Sequence, residues 1–141
     1  MHYSFDNSTA TQATPAQIWG VWSDVNSWHE WDPHTVSAKL EQPFKDGSAG
    51  YLEPKDAPAG NMNFTNVVTN KSWTSISTTP LGKLTFIHTI TDKGDSRIIA
   101  EHMDANGLIA IVFRLFYARK RKESGKETLQ ALAQRSERAT V

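Results

Sequence analysis

Between Thr35 and Asp104 the chain is cut by clusters of turn-forming residues about every ten positions: Lys45-Asp46-Gly47, Asp56 to Gly60, Asn70-Lys71, Thr79 to Gly82 and Asp92 to Asp95. Segments this short between such turns predict about six antiparallel strands joined as hairpins. Alternation along the segments sets their faces. Phe86, His88 and Ile90 share one side of a strand, Met62, Phe64, Asn66 and Val68 share one side of another, and Thr85 and Thr89 point the opposite way from Phe86. One face of the sheet is therefore expected to be buried and the other wet. After Gly107 the period changes. Leu108, Ile111, Leu115, Ala118, Lys122, Gly125, Leu129 and Leu132 advance by three and four, which predicts one long helix laid on a core by a single stripe. That stripe is bulky at both ends and thin at Ala118 and Gly125, and a glycine costs about 1 kcal/mol relative to alanine inside a helix. A space is expected where the helix crosses the sheet.

Ahead of these strands, four of the five tryptophans fall within thirteen residues, at Trp19, Trp22, Trp28 and Trp31. Ser4 to Thr11 forms a short polar segment, the first strand. Thr14-Pro15-Ala16-Gln17 then carries a helix start, with threonine at the cap, proline in the first turn and Gln17 placed to close a capping box. Ile18, Val21 and Trp22 line one side of that helix. Ser27 is expected to cap a second turn that Pro33 stops, giving two small helices in a V.

At 141 residues the chain is long enough for one domain, residues 1–141, around a single core. No run approaches eighteen apolar residues, so integral membrane association is not expected. Met1-His2-Tyr3-Ser4-Phe5 lacks both a basic and an apolar leader region, and a cytoplasmic location is the expectation. The absence of cysteine excludes disulfides, thiol nucleophiles and cysteine-ligated metals. Net charge is zero but uneven: residues 1–113 carry 7 basic and 12 acidic side chains, and residues 114–141 carry 8 and 3. The basic run Arg119-Lys120-Arg121-Lys122 reads first as a solvated helix face, and with Tyr117 the aromatic beside it, nucleic acid is not expected. Neither a catalytic triad spacing nor a phosphate or dinucleotide loop occurs. No cofactor or metal is expected, because His88 and His102 lack a third ligand and His29 and His34 lie in a loop.

The order of strand, two small helices, about six strands and a long last helix accompanies a set of local motifs. Pro15-Ala16-x-x-Trp19 leads to Trp28-x-x-Trp31-x-Pro33; Leu84-Thr85-Phe86-Ile87-His88, His102 before Gly107, and Glu127-Thr128-Leu129-Gln130-Ala131-Leu132 follow. Together they resemble the START/Bet v 1-like (SRPBCC) superfamily, and more narrowly its bacterial polyketide cyclase/dehydrase branch, over essentially the whole chain. The resemblance implies an α+β helix-grip fold: a seven-stranded curved antiparallel sheet wrapped around a long C-terminal helix, with two short helices after the first strand. It also implies an apolar cavity for a lipid, polyketide-like or aromatic molecule. Some members catalyse cyclisation or dehydration, and others act on protein partners.

Within that frame Trp28 and Trp31 are candidates for the cavity entrance, and Trp19 and Trp22 for scaffold. Tyr51, Met62, Phe64 and Phe86 are assigned to the wall, with Asn66 as an added hydrogen-bonding group. Trp73 and Ile76 have opposite parity, so one of them faces outward. His88 and His102 are the candidate catalytic residues. On neighbouring strands both are expected to point inward with Phe86, Ile90, Ile98 and Ala100, where an imidazole can orient a ligand oxygen or move a proton. The plainer alternative is a histidine satisfied by its neighbours, and a shift of one residue puts both rings in water. Lys122, on the inner stripe, reaches an anionic ligand group or snorkels to solvent, and Gly125 makes room for the ligand. Three functions follow: a binder of a small hydrophobic molecule, a cyclase/dehydratase-type enzyme, or a protein-interaction domain marked by an exposed apolar patch. The oligomeric state is open, a dimer included.

Overall fold

A computed structural model describes residues 1–139. Strand β1 (His2–Thr11) leads to helix α1 (Pro15–Ser23), a 3-10 turn (Val25–Ser27) and the single turn α2 (Trp28–Trp31). Six strands follow: β2 (Thr35–Lys39), β3 (Ala49–Pro54), β4 (Gly60–Val68), β5 (Ser72–Thr79), β6 (Gly82–Asp92) and β7 (Arg97–Gly107). Helices α3 (Leu108–Phe116) and α4 (Ala118–Glu137) close the order. The strands form one antiparallel sheet of seven in the order β1-β7-β6-β5-β4-β3-β2, curled as a half-barrel with α4 in its grip.

The start of α1 forms as its sequence dictates. Thr14 Oγ1 accepts the Gln17 N–H at 3.1 Å while Gln17 Oε1 accepts the Thr14 N–H at 2.8 Å. This sets Ile18, Trp22 and Val25 into the core. Trp73 of β5 is the hub there, with the rings of Trp22, Trp28, Phe44 and Phe64 at 5.7, 5.7, 5.4 and 5.6 Å. A separate cluster of Phe5, Met103, Ala105, Ala110, Phe113 and Ala118 fills the other end. α4 lies across β1, held where Asn7 Nδ2–H donates to the Lys122 carbonyl at 2.9 Å and Thr11 Oγ1–H to Glu137 at 2.6 Å. The chain leaves the sheet between Gly82 and Gly107, which are paired in the register and both have positive φ. A Cβ at Gly82 would overlap the Asn106 carbonyl, so glycine permits the close approach that turns β7 into α3.

Three expectations fail for identifiable reasons. In β4 a bulge between Thr65 and Val68 puts Asn66 at φ 51°, a left-handed conformation that asparagine tolerates. The phase changes there, so Asn66 and Val68 turn to solvent and Val67 packs inward. The long terminal helix is two helices, broken at Tyr117 with φ −126°. The break resets the phase: Leu108, Ile111 and Leu115 are exposed, and Lys122 is exposed while Arg121 turns inward. In β7 the inward set is Ile99, Glu101, Met103 and Ala105, which puts Ile98, Ala100 and His102 on the opposite face. A strand parity that buries a glutamate was the less obvious choice, and it is the one adopted.

Candidate functional site

The β6–β7 register sets His88 opposite Glu101, so the two share the inner face. Both are deeply buried, at 6% and 4% exposure, and His88 Nε2 lies 3.1 Å from Glu101 Oε2. An ionised carboxylate only accepts, so Nε2 carries the proton and donates; in the neutral ring Nδ1 is left as an acceptor. Nδ1 has no hydrogen-bond partner among the described residues. The imidazole lies flat on the Trp73 ring, 3.7 Å away and 8° from parallel, with Trp22 edge-on at 5.6 Å. Sandwiched in this way, the ring has little freedom to turn.

From the helix side, Arg121 Nη2 approaches the other Glu101 oxygen to 3.7 Å, and its guanidinium lies over Phe86 at 5.3 Å. Burial alone pushes the Glu101 carboxyl up. The Arg121 charge and the His88 hydrogen bond together outweigh it, and the group sits below the ordinary carboxylate range. Gly125 lies directly above. A Cβ there would stand 2.9 Å from Asn7 Nδ2 and 3.2 Å from Glu101 Oε1. The missing side chain thus admits a buried polar cluster, and the thin stripe is filled from the sheet.

These groups form part of the wall of a cavity of about 360 Å³ between the sheet, α2, α3 and α4. Trp22, Trp28, Trp31 and Trp73 line it together with Met62, Leu84, Phe86, Val112, Phe113 and Leu129. Ser75, Ser77 and Thr79 project from alternate positions of β5 and form a narrow hydroxyl stripe along the same wall. At the rim, Lys120 Nζ lies 3.1 Å and His34 Nδ1 3.5 Å from Asp56, and His34 Nε2 is 3.3 Å from Glu127. The Lys120 hydrogen bond and charge, joined by His34, hold the Asp56 carboxyl below its ordinary range. Asp32 accepts the Thr128 hydroxyl at 2.8 Å, so both loops at the rim are tied to α4.

Of the residues expected at the site, Trp28, Trp31, Met62, Phe86 and His88 reach the cavity. Trp28 is fixed by its Nε1–H to the Trp22 carbonyl at 3.0 Å, whereas Trp31 Nε1 has no partner among the described residues. Phe64 is packed in the core behind Trp73, and Tyr51 and Asn66 face solvent. His102 lies on the outer face, Nδ1 2.7 Å from Asp6, and is not brought to His88. Lys122 is exposed, and Gly125 borders Glu101 without lining the cavity. Of the Trp73 and Ile76 alternative, Trp73 is inside. Glu101, Arg121 and the β5 hydroxyls were missed; the opposed positions of His88 and Glu101 across a short hairpin were the available signal for the first. Among the described residues no group of three metal-ligating side chains occurs.

The chain has the helix-grip fold of START and Bet v 1-like proteins. Among solved structures it is similar to a START superfamily protein from Mycobacterium smegmatis, at 14% identity and TM-score 0.72 over 95% of this chain and 98% of that one. It is also similar to the Zhui aromatase/cyclase from Streptomyces sp. R1128, at 12% and 0.77 over 98% and 95%. Ara h 8.0201 matches at 9% and 0.69 over 99% and 100%. At such identities the likeness is one of fold. No family model matches the chain, and no curated protein sequence does either.

Proposed function

We propose that the cavity binds a small, flat hydrophobic molecule, polyketide-like or aromatic, carrying hydroxyl groups along one edge. The observation that carries this is His88, whose buried Nδ1 has no hydrogen-bond partner among the described residues, in a wall otherwise made mostly of tryptophan, phenylalanine and aliphatic side chains. A buried acceptor without a donor costs free energy, and a ligand hydroxyl that reaches it through a small shift of the ring or its cover removes that cost. The Ser75, Ser77 and Thr79 stripe supplies further oxygens for the same edge, whereas a plain acyl chain makes no use of either feature.

Four of the five tryptophans line the cavity, so binding is read by quenching of intrinsic fluorescence. Hydroxylated and unsubstituted polycyclic aromatics of equal size are titrated against the protein and its His88→Phe variant, which keeps a flat ring on Trp73. The hydroxylated compound is expected to bind more tightly to the wild type, and His88→Phe is expected to lose about threefold to tenfold of that preference, as one net hydrogen bond supplies. Equal affinities for the two compounds in the wild type would sink the proposal.

The His88–Glu101 pair favours a second possibility, an enzyme of cyclase or dehydratase type. Glu101 orients the ring and supports the imidazolium, and Nδ1 takes a proton from an activated carbon of a bound polyketone. The similarity to an aromatase/cyclase agrees with this chemistry. Turnover of a linear polyketone that is unchanged in His88→Gln removes it.

A further inference from the structure

α3 is a cavity wall on one side and an apolar surface on the other. Ile109, Val112 and Phe113 line the cavity, while Leu108, Ile111, Leu115 and Phe116 lie toward solvent, Leu115 at 69% and Phe116 at 73% exposure. Leu81, whose carbonyl accepts the Ile109 N–H at 2.8 Å, adjoins the first turn and is exposed as well. A helix that is apolar on both sides needs cover on both.

Charge decides what covers it. From Leu108 to Lys122 there are five basic residues and no acidic one. Arg121 is turned onto Glu101 and Lys120 onto Asp56. Among the described residues Arg114 and Lys122 make no ion pair, and Arg119, 95% exposed, has a 3.7 Å contact to Glu123 within its own helix. A second copy seated on this patch by a two-fold axis would set these cations against one another. A surface that is apolar within and negative at its face matches both features.

We propose that α3 docks the protein on an anionic lipid bilayer, with Leu108, Ile111, Leu115 and Phe116 entering the interface and Arg114, Arg119 and Lys122 against the headgroups. The docked face is the outer side of a cavity wall, so a hydrophobic ligand and the membrane are separated by one helix. Among the described residues no helix is long and apolar enough to cross a membrane, which agrees with surface attachment.

The test is co-sedimentation of the full chain with vesicles of phosphatidylglycerol and phosphatidylcholine, against phosphatidylcholine alone, at low and high salt. Binding is expected to the anionic vesicles and to fall with salt. Arg119→Gln with Lys122→Gln should weaken it about 25-fold, roughly fivefold per charge, and Leu115→Ser with Phe116→Ser should abolish it. Melting curves check that each variant is folded, and the charge pair stands if the apolar pair is not. Absence of wild-type binding, or wild-type binding by both folded variants, overturns the proposal. So does a dimer in gel filtration, or capture of an acidic protein, that Leu115→Ser abolishes while no vesicle is bound.

Discussion

The tryptophan end and the α3 end of this molecule use large apolar side chains in opposite ways. At the first, Trp22, Trp28, Phe44 and Phe64 close on Trp73, and Trp22, Trp28, Phe64 and Trp73 are buried. At the second, Leu108, Ile111, Leu115 and Phe116 are turned outward although the sheet lies directly beneath their helix. Packing of the first kind stabilises the fold. Exposure of the second kind contributes little to folding, and the proposed bilayer contact accounts for it. The cavity lies between the two ends, anchored by one and walled by the other.

The sharpest way to break this contrast is Trp73→Ala. The ring touches Trp22, Trp28, two phenylalanines and the His88 imidazole, and truncation leaves a cavity that the surrounding rings cannot fill. A loss of about 3–5 kcal/mol is expected from urea unfolding, as for large aromatic truncations in cores. A loss below about 1 kcal/mol would mean that the tryptophan end is not where stability resides.

Next in size is Gly125→Leu. A helix lacking volume at Ala118 and Gly125 suggests room for a ligand when only the sequence is considered. The structure fills that room with Asn7 and Glu101, so the added side chain meets them and not the ligand. Overpacking of this kind costs about 1–3 kcal/mol, seen as a lower denaturation midpoint. Stability equal to the wild type, with weaker ligand binding, would show instead that Gly125 opens into the cavity.

Much of this was legible from residue order alone. Turns at ten-residue intervals gave the meander, the Thr14 capping box gave α1, and Phe86, His88 and Met62 were placed on the correct face. What was not legible depended on single residues that alter phase. Asn66 in a left-handed conformation reverses the end of β4, and Tyr117 breaks the helix, so Lys122 and Arg121 exchange sides. Neither event leaves a mark on periodicity, because each side of the break keeps its own period. Glu101 was missed for a different reason: a carboxylate inside a core is held there by its partners, here His88 on the facing strand and Arg121 on a helix that the phase change had turned the other way.

Glu101 gives a smaller effect, confined to acid. Its folded-state pKa lies below the ordinary 4.5, so its contribution is fully present above that pH and is lost as pH falls through the lower folded value. Asp56 and Glu137 are depressed too, the first chiefly by Lys120 and the second by the Thr11 hydroxyl. Both remain in Glu101→Gln, so the difference between the two proteins isolates the buried group. Melting temperature should fall more steeply below pH 4.5 in the wild type than in Glu101→Gln. Parallel curves would mean that Glu101 is not ionised in the folded protein.

The smallest expected effect is the one that tests the α3 end most directly. Leu115 is exposed, and its replacement by serine removes few contacts, so stability in solution should change by no more than about 0.5 kcal/mol. Leucine and serine differ modestly in helix propensity, and the site is one residue from the end of α3, where fraying already weakens the helix. The same substitution at a buried position would cost several times more. Differential scanning calorimetry of Leu115→Ser beside Trp73→Ala therefore measures the contrast between the two ends on one scale. A melting temperature lowered comparably in both would mean that α3 folds back onto its own sheet in solution, and that its outer face is covered before any partner arrives.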